Sequence, residues 1–223
     1  MMLLNASRKS VGVLLACVVV SVSLSACGSA GSEQGMSASL PVEDAVQSQV
    51  GSPDDVVAMS GIYEVTREGK LLRYSSDPRL DKPELSDVAK VHDNNGAEEF
   101  AQYFIRVVEY TWDSGDTSLL KEISLPSCTW CEYMSATTDE RMKNKGWVRN
   151  LRATVIEVQP AFEVPDHPGL WHVDTVSETS AHQEYDGKRL KEVEKERVRL
   201  SLQMRYEEGA WKISGSKGES ISE

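Results

Sequence analysis

Histidine, phenylalanine and cysteine are scarce in this chain: four, three and four among 223 residues. His92, His167, His172 and His182 form no His-x-His, His-x-x-x-His or His-Glu-x-x-His spacing, so no metal centre is expected on them. No Gly-x-Ser-x-Gly elbow, phosphate loop or dinucleotide fingerprint occurs, which removes the common nucleophile and nucleotide motifs. Internal repeats are missing too. Basic charge is in short supply: 24 Lys and Arg stand against 35 Asp and Glu, a formal charge of −11. Nucleic acid rewards clustered Lys and Arg, so it is not an expected partner. Charge-driven docking on anionic headgroups is excluded for the same reason. The first hydrophobic stretch, Val11 to Leu24, is about 14 residues long, short of the roughly 20 that span a bilayer.

That stretch is nevertheless the most informative part of the chain. Arg8 and Lys9 precede it, and Leu24-Ser25-Ala26-Cys27 closes it with small residues. A charged n-region, an apolar h-region and a small-residue cut make a signal peptide over residues 1–26. Residue by residue, Leu-Ser-Ala-Cys resembles the lipobox of bacterial lipoprotein precursors. An ordinary secretory signal would need no cysteine at the cut, and a retained anchor would need a longer run. The resemblance implies that Cys27 carries a thioether-linked diacylglycerol, the one covalent group expected, and becomes the mature N-terminus. Two acyl chains anchor stably where one binds marginally. The implied location is the outer face of the cell membrane.

Cys17 would then leave with the signal and Cys27 take the lipid. Cys128 and Cys131 remain, in a compartment where disulfides persist, and one bridge is the simplest pairing. A zinc site would need further ligands at finger spacing, and the sequence has none.

Residues 27–60 are expected to be a flexible lipidated tether, since Gly, Ser, Gln, Asp and Pro dominate without an apolar period. Residues 61–93 read as an extended segment. Ile62–Val65 and Leu71–Tyr74 could pair there as a small hairpin about Glu68-Gly69. The globular domain is placed at 94–215 and a tail at 216–223. Asn95 with Glu98 suggests a capping box for a first helix carrying Phe100, Phe104 and Val107-Val108. Asp116 is expected to cap a short second helix, and Pro126-Ser127 to open a third. After Trp147 the period changes to 2. Val148–Val158, Trp171–Val176, a return strand over Val198–Tyr206 and a last short strand Trp211–Ile213 follow, with a hairpin turn at Asp186-Gly187. Helices packed on a curved antiparallel sheet of about four strands make the fold class α+β.

Gly96-Ala97-Glu98-Glu99-Phe100 with Tyr103, Tyr110, Ser114-Gly115-Asp116-Thr117 and Leu125-Pro126-Ser127-Cys128-Thr129-Trp130-Cys131 are similar to a family of uncharacterised lipoproteins from actinomycete bacteria. The likeness is best over residues 83 to about 150 and implies anchor and domain, not chemistry. The order of elements, closed by Gly209-Ala210-Trp211-Lys212-Ile213, also resembles the nuclear-transport-factor-2-like cone fold. Such folds host enzymes, binding modules and inert scaffolds.

Few residues carry candidate chemistry. Cys128-Thr129-Trp130-Cys131 at a helix start would suit a thiol–disulfide site, because a helix N-terminus lowers a thiol's pKa. The strand context of a redox motif is missing, however, so a structural clip is the expected role. His172 and Asp174 share one strand face and would make a base and its orienter inside a cone-shaped pocket. Trp171 and Val173 claim the opposite face for the core, which assigns the pair to the surface. Tyr103 is core before it is a pocket wall. The mixed charges of Lys188–Arg199 read as an exposed hairpin end. The expected function is a membrane-anchored lipoprotein whose single domain binds a small ligand, a wall component or an envelope protein, without catalysis. An enzyme on His172 and Asp174 and a redox module on Cys128 and Cys131 are the alternatives.

Overall fold

The computed structural model describes residues 56–221, and within them the elements follow the changes of sequence period. Helix α1, Asn94–Ser114, buries Ala97, Phe100, Ala101, Phe104 and Val107 along one stripe. Its cap is not the expected Asn95–Glu98 box. Asp93 holds extended backbone and its carboxylate accepts from Gly96 N–H at 2.7 Å, while Glu98 instead accepts from Ala161 N–H at 2.9 Å. Gly96 is needed there: a Cβ would lie 2.0 Å from the Val91 carbonyl oxygen. Helix α2, Ser118–Glu122, follows Thr117, and Asp116 accepts from Ser118 N–H at 2.9 Å. Helix α3, Thr129–Lys143, starts at Cys128.

The described strands form three antiparallel sheets, two of them behind these helices and a two-stranded one upstream. The main one orders β10 (Ala210–Ile221), β9 (Glu196–Glu207), β6 (Leu170–Thr179) and β4 (Ala153–Val158), with β5 (Phe162–Glu163) beside the start of β6. The smaller one orders β3 (Trp147–Arg149), β7 (His182–Tyr185) and β8 (Leu190–Val193). The expected α+β class stands, sheet-rich and with open sheets. The single four-strand meander does not. The 148–158 run breaks at Asn150, which takes φ of 64°, so β3 joins one sheet and β4 the other. The long strand after Trp171 breaks likewise at Ser180-Ala181. Both sheets therefore meet along one corner.

Asp186-Gly187 does turn a hairpin, but between β7 and β8. Gly187 holds φ of 92°, and a Cβ there would meet the Asn144 carbonyl oxygen at 2.1 Å. Strand β6 is paired along its whole length with β9, from Leu170↔Arg205 to Thr179↔Glu196. Residues 216–221 are not tail; they continue β10 against β9 as far as Ile221↔Arg197. Low strand propensity in Gly-Ser-Lys-Gly is overridden by a ladder partner already fixed by β6.

Inward side chains of the main sheet, Val173, Leu200, Leu202, Met204, Trp211 and Ile213, pack on Phe100, Phe104, Leu120 and Met134. Each large apolar side chain so buried contributes about 1.5–3 kcal/mol. Upstream, β1 (Val56–Ser60) pairs with β2 (Tyr63–Thr66) about Gly61-Ile62, which gives 63–66 a longer ladder partner on its other edge. The expected small hairpin about Glu68-Gly69 is present in short form: Val65 bridges Leu71, Leu72 N–H donates to the Glu64 carbonyl at 2.8 Å and Thr66 N–H to the Lys70 carbonyl at 2.9 Å. The strand begins within the stretch expected as tether.

Residues 63–80 belong to the folded body, ahead of the expected start at 94. Tyr63, Trp147 and Tyr185 form a second buried cluster with Leu71 and Tyr74. Trp147 Nε1–H donates to the Leu71 carbonyl at 3.0 Å. Among the described residues no helix is long and apolar enough to cross a membrane.

Candidate binding cavity

Where the two sheets part under α1, the corner leaves a cavity of about 310 Å³, the liquid volume of about ten waters. Its position follows from the chain. Ile105, Val108, Glu109 and Trp112 recur at i, i+3, i+4 and i+7 on α1 and so share one face. Trp130 and Met134 enter from α3, Leu151 and Ala153 from the β3–β4 break, Val198 and Leu200 from β9. His182 and Glu184, two apart on β7, point the same way. The lining is mostly apolar with a few ionisable side chains among it, as in ligand pockets.

The ionisable side chains have a defined protonation pattern. A carbonyl can only accept, so His182 Nδ1–H donates to Ser180 O at 2.8 Å, leaving Nε2 at 3.4 Å from Glu184 Oε1. Burial pulls the His182 pKa down, but the Glu184 carboxylate and the Ser180 carbonyl together outweigh it and the pKa is raised. Glu184 is lowered, first by the hydrogen bond from His182, with the Arg141 charge adding to it against burial. Glu109 is raised because burial dominates over the Arg152 charge and the Ala153 N–H. Beside them Arg141 Cζ stands 5.4 Å from the centre of the Trp112 ring. Trp112 Nε1 and Arg141 Nη1 are buried and meet no hydrogen-bond acceptor among the described residues.

The His182–Glu184 pair sets a pH dependence. The raised imidazole stabilises the fold fully below its unfolded value of about 6.5, and this contribution fades as pH rises through the higher folded value. The lowered carboxylate stabilises above about 4.5, and this contribution fades as pH falls through the folded value. The pair therefore contributes most between those limits. In urea unfolding, the stability gap between wild type and His182→Gln should be wider at about pH 5.5 than at about pH 8.5. An equal gap at both would show that the pair is not coupled to folding.

The residues picked from the sequence lie elsewhere. His172 Nε2 is 3.2 Å from Asp174 Oδ1, but both are on the outer face of β6, where Ser201 Oγ donates to Asp174 at 2.6 Å. Tyr103 is buried in the main core and does not line the cavity; burial, then the Glu122 charge, raises its phenol pKa. Cys128 and Cys131 are joined as a disulfide with Cα atoms 5.3 Å apart. Both are buried, at 1% and 2% exposure, in the wall of an open groove of about 490 Å³ with Leu120, Leu125 and Pro126. So short a loop is worth roughly 2 kcal/mol in the chain-entropy model. Cys27 lies outside the described residues. Among those described, no three His, Cys, Asp or Glu side chains gather as they would around a metal ion.

Glu109, Trp112, His182 and Glu184 were missed by sequence reasoning. The signal available was a carboxylate inside an apolar i, i+3, i+4, i+7 stripe. The histidine carried none, because its neighbours come from other elements.

A family model described as a family of unknown function, DUF6318, matches residues 81–217. No curated protein matches. Among solved structures, the intermembrane-space region of the chloroplast protein ARC6 is 11% identical, with a TM-score of 0.46 over 60% of this chain and 99% of that one. An uncharacterised protein with a cystatin-like fold from Caulobacter vibrioides is 15% identical, with a TM-score of 0.39 over 55% of this chain and 87% of its own. A chain whose name labels it NTF2 is 14% identical, with a TM-score of 0.33 over 55% and 99%. The similarity to nuclear-transport-factor-2-like folds is weak.

Proposed function

The chain belongs to DUF6318, a family of unknown function, and from that premise we propose that it is a lipid-anchored extracytoplasmic protein whose folded domain binds a small amphipathic molecule without transforming it. The cavity walled by Trp112 and Trp130, mostly apolar with Glu109, His182 and Glu184 in its lining, carries the binding half of this reading. Leu24-Ser25-Ala26-Cys27 carries the anchor. Neither alternative chemistry faces the cavity: His172 and Asp174 lie on the outer face of β6, and the disulfide is buried beside α2. Buried cystines of this kind are inert clips rather than exchange sites.

Held by two acyl chains, the protein would present its cavity close to the membrane, where amphipathic molecules concentrate. Cell fractionation tests the anchor. The wild-type chain should pellet with membranes and its N-terminal peptide should carry a diacylglycerol on Cys27, whereas Cys27→Ser should lose that mass and the lipidated mature form. An unacylated wild-type N-terminus, or cleavage elsewhere, would remove the anchor from this account.

A further inference from the structure

We propose that residues 63–77 are a strap that sets the width of the cavity, with Tyr63 a positioning residue that acts on His182 and Glu184 through Gln183; this rests on the cavity being a ligand site. The smaller sheet has two faces. Val193 and Lys191 of β8 pair with His182 and Glu184 of β7, and all four line the cavity. The alternate residues of β7, Gln183 and Tyr185, point the other way and pair with Arg149 and Trp147 of β3. Strands of three or four residues do not hold a sheet in place by their own ladders. With the cavity on the front face, the packing that fixes this wall has to come from behind.

Residues 63–77 supply it. Tyr63 Oη–H donates to Gln183 Oε1, and the Tyr63 ring centre lies 5.5 Å from that of Trp147. Leu71 N–H donates to Tyr185 Oη at 3.4 Å, and Asp77 pairs with Arg149 at 2.9 Å. The same segment is fixed to another wall: Arg73 reaches Asp113, the neighbour of Trp112 on α1, at 2.8 Å. Trp112 and His182 come together there with ring centres 6.5 Å apart. One short length of chain is thus tied to both α1 and β7, so its seating sets the gap between them. The strap precedes residue 81, where the family match begins, so this wall is braced from outside the matched region. A loosened strap frees the β7–β8 wall, and a molecule in the cavity is then held less tightly.

Hydrogen–deuterium exchange and native mass spectrometry of the full chain extracted from its own membrane test this on the same samples. Tyr63→Phe keeps the ring and removes the donor. Exchange of residues 182–193 should then rise about two- to tenfold, the worth of one net hydrogen bond, while residues 198–204 of β9 exchange as in wild type. The small-molecule adduct of the wild type should be lost on dilution faster by a similar factor. Gln183→Leu should also raise exchange, by stranding the tyrosine hydroxyl. Tyr63→Phe with Gln183→Leu should exchange more slowly than Gln183→Leu alone, because replacing both partners by apolar groups strands neither. Unchanged exchange at 182–193, an equal rise in β9, or adduct loss indifferent to Tyr63→Phe would overturn the strap while leaving the cavity a binding site. A wild-type chain with no adduct would instead remove the binding reading, and with it the site that the strap positions.

Discussion

Replacing Asp113 by Ala should cost about 3–5 kcal/mol of folding stability, the range for removing one partner from a buried ion pair. Asp113 closes α1 with a side chain 1% exposed, and Arg73, 4% exposed, reaches it at 2.8 Å. Its other carboxylate oxygen accepts from Leu80 N–H at 3.0 Å. Its backbone carbonyl accepts from Arg73 Nη1 at 2.9 Å and Arg79 Nη1 at 3.2 Å. Asp77 pairs with Arg149 at 2.9 Å beside them, and Arg149 lies 4.7 Å over the Tyr74 ring. Without Asp113 the buried Arg73 guanidinium keeps only the Asp77 carboxylate, 3.6 Å from its Nε, and residues 63–80 lose their hold on α1. Urea unfolding measures the loss, and limited proteolysis should show cleavage near residue 75 first. The double variant Asp113→Ala with Arg73→Met should cost less than Asp113→Ala alone, because the under-compensated guanidinium is removed as well and Asp77 keeps Arg149. A loss under about 1 kcal/mol for the single change would mean that water reaches the pair.

Trp211→Ala should be as damaging, at about 3–5 kcal/mol, through the cavity it leaves in the main core. Trp211 is buried and meets Trp171, Tyr206 and His92 edge to face at centroid distances of 5.5, 5.2 and 5.3 Å. Its indole N–H also donates to the Val91 carbonyl at 2.9 Å, the same carbonyl against which Gly96 is packed. One side chain thus ties β10 to the chain entering α1. Trp211→Phe, which keeps most of the packing and loses the donor, should cost less, about 1–3 kcal/mol. Thermal unfolding of the pair of variants orders the two effects; equal losses would assign the whole contribution to the hydrogen bond.

Local periodicity made parts of this fold legible and left others hidden. The aromatic stripe of α1 and the alternation of β9 could be read because each is decided within one element. The Asp186-Gly187 turn could be read for the same reason, although its partners could not. Ser180-Ala181 and Asn150 break two long strands without proline or glycine, so nothing local announces the corner between the sheets. The cavity is built at that corner from side chains of both sheets, α1 and α3, which hides it from any single window of sequence. Residues 216–221 became strand because β9 offered an edge, a tertiary effect that overrides propensity. That the chain carries a domain without assigned chemistry was legible in its motifs, and a family of unknown function matches residues 81–217.

Native mass spectrometry of the chain extracted from its own membrane, beside an Ala153→Phe variant of equal thermal stability, tests most directly whether the domain is a binder. Ala153 lines the cavity, and a benzyl group there would occupy it. The wild-type chain should carry one small-molecule adduct beyond its lipid, and the filled variant none. A wild-type chain without an adduct, or an adduct that survives the filling of the cavity, would contradict the account.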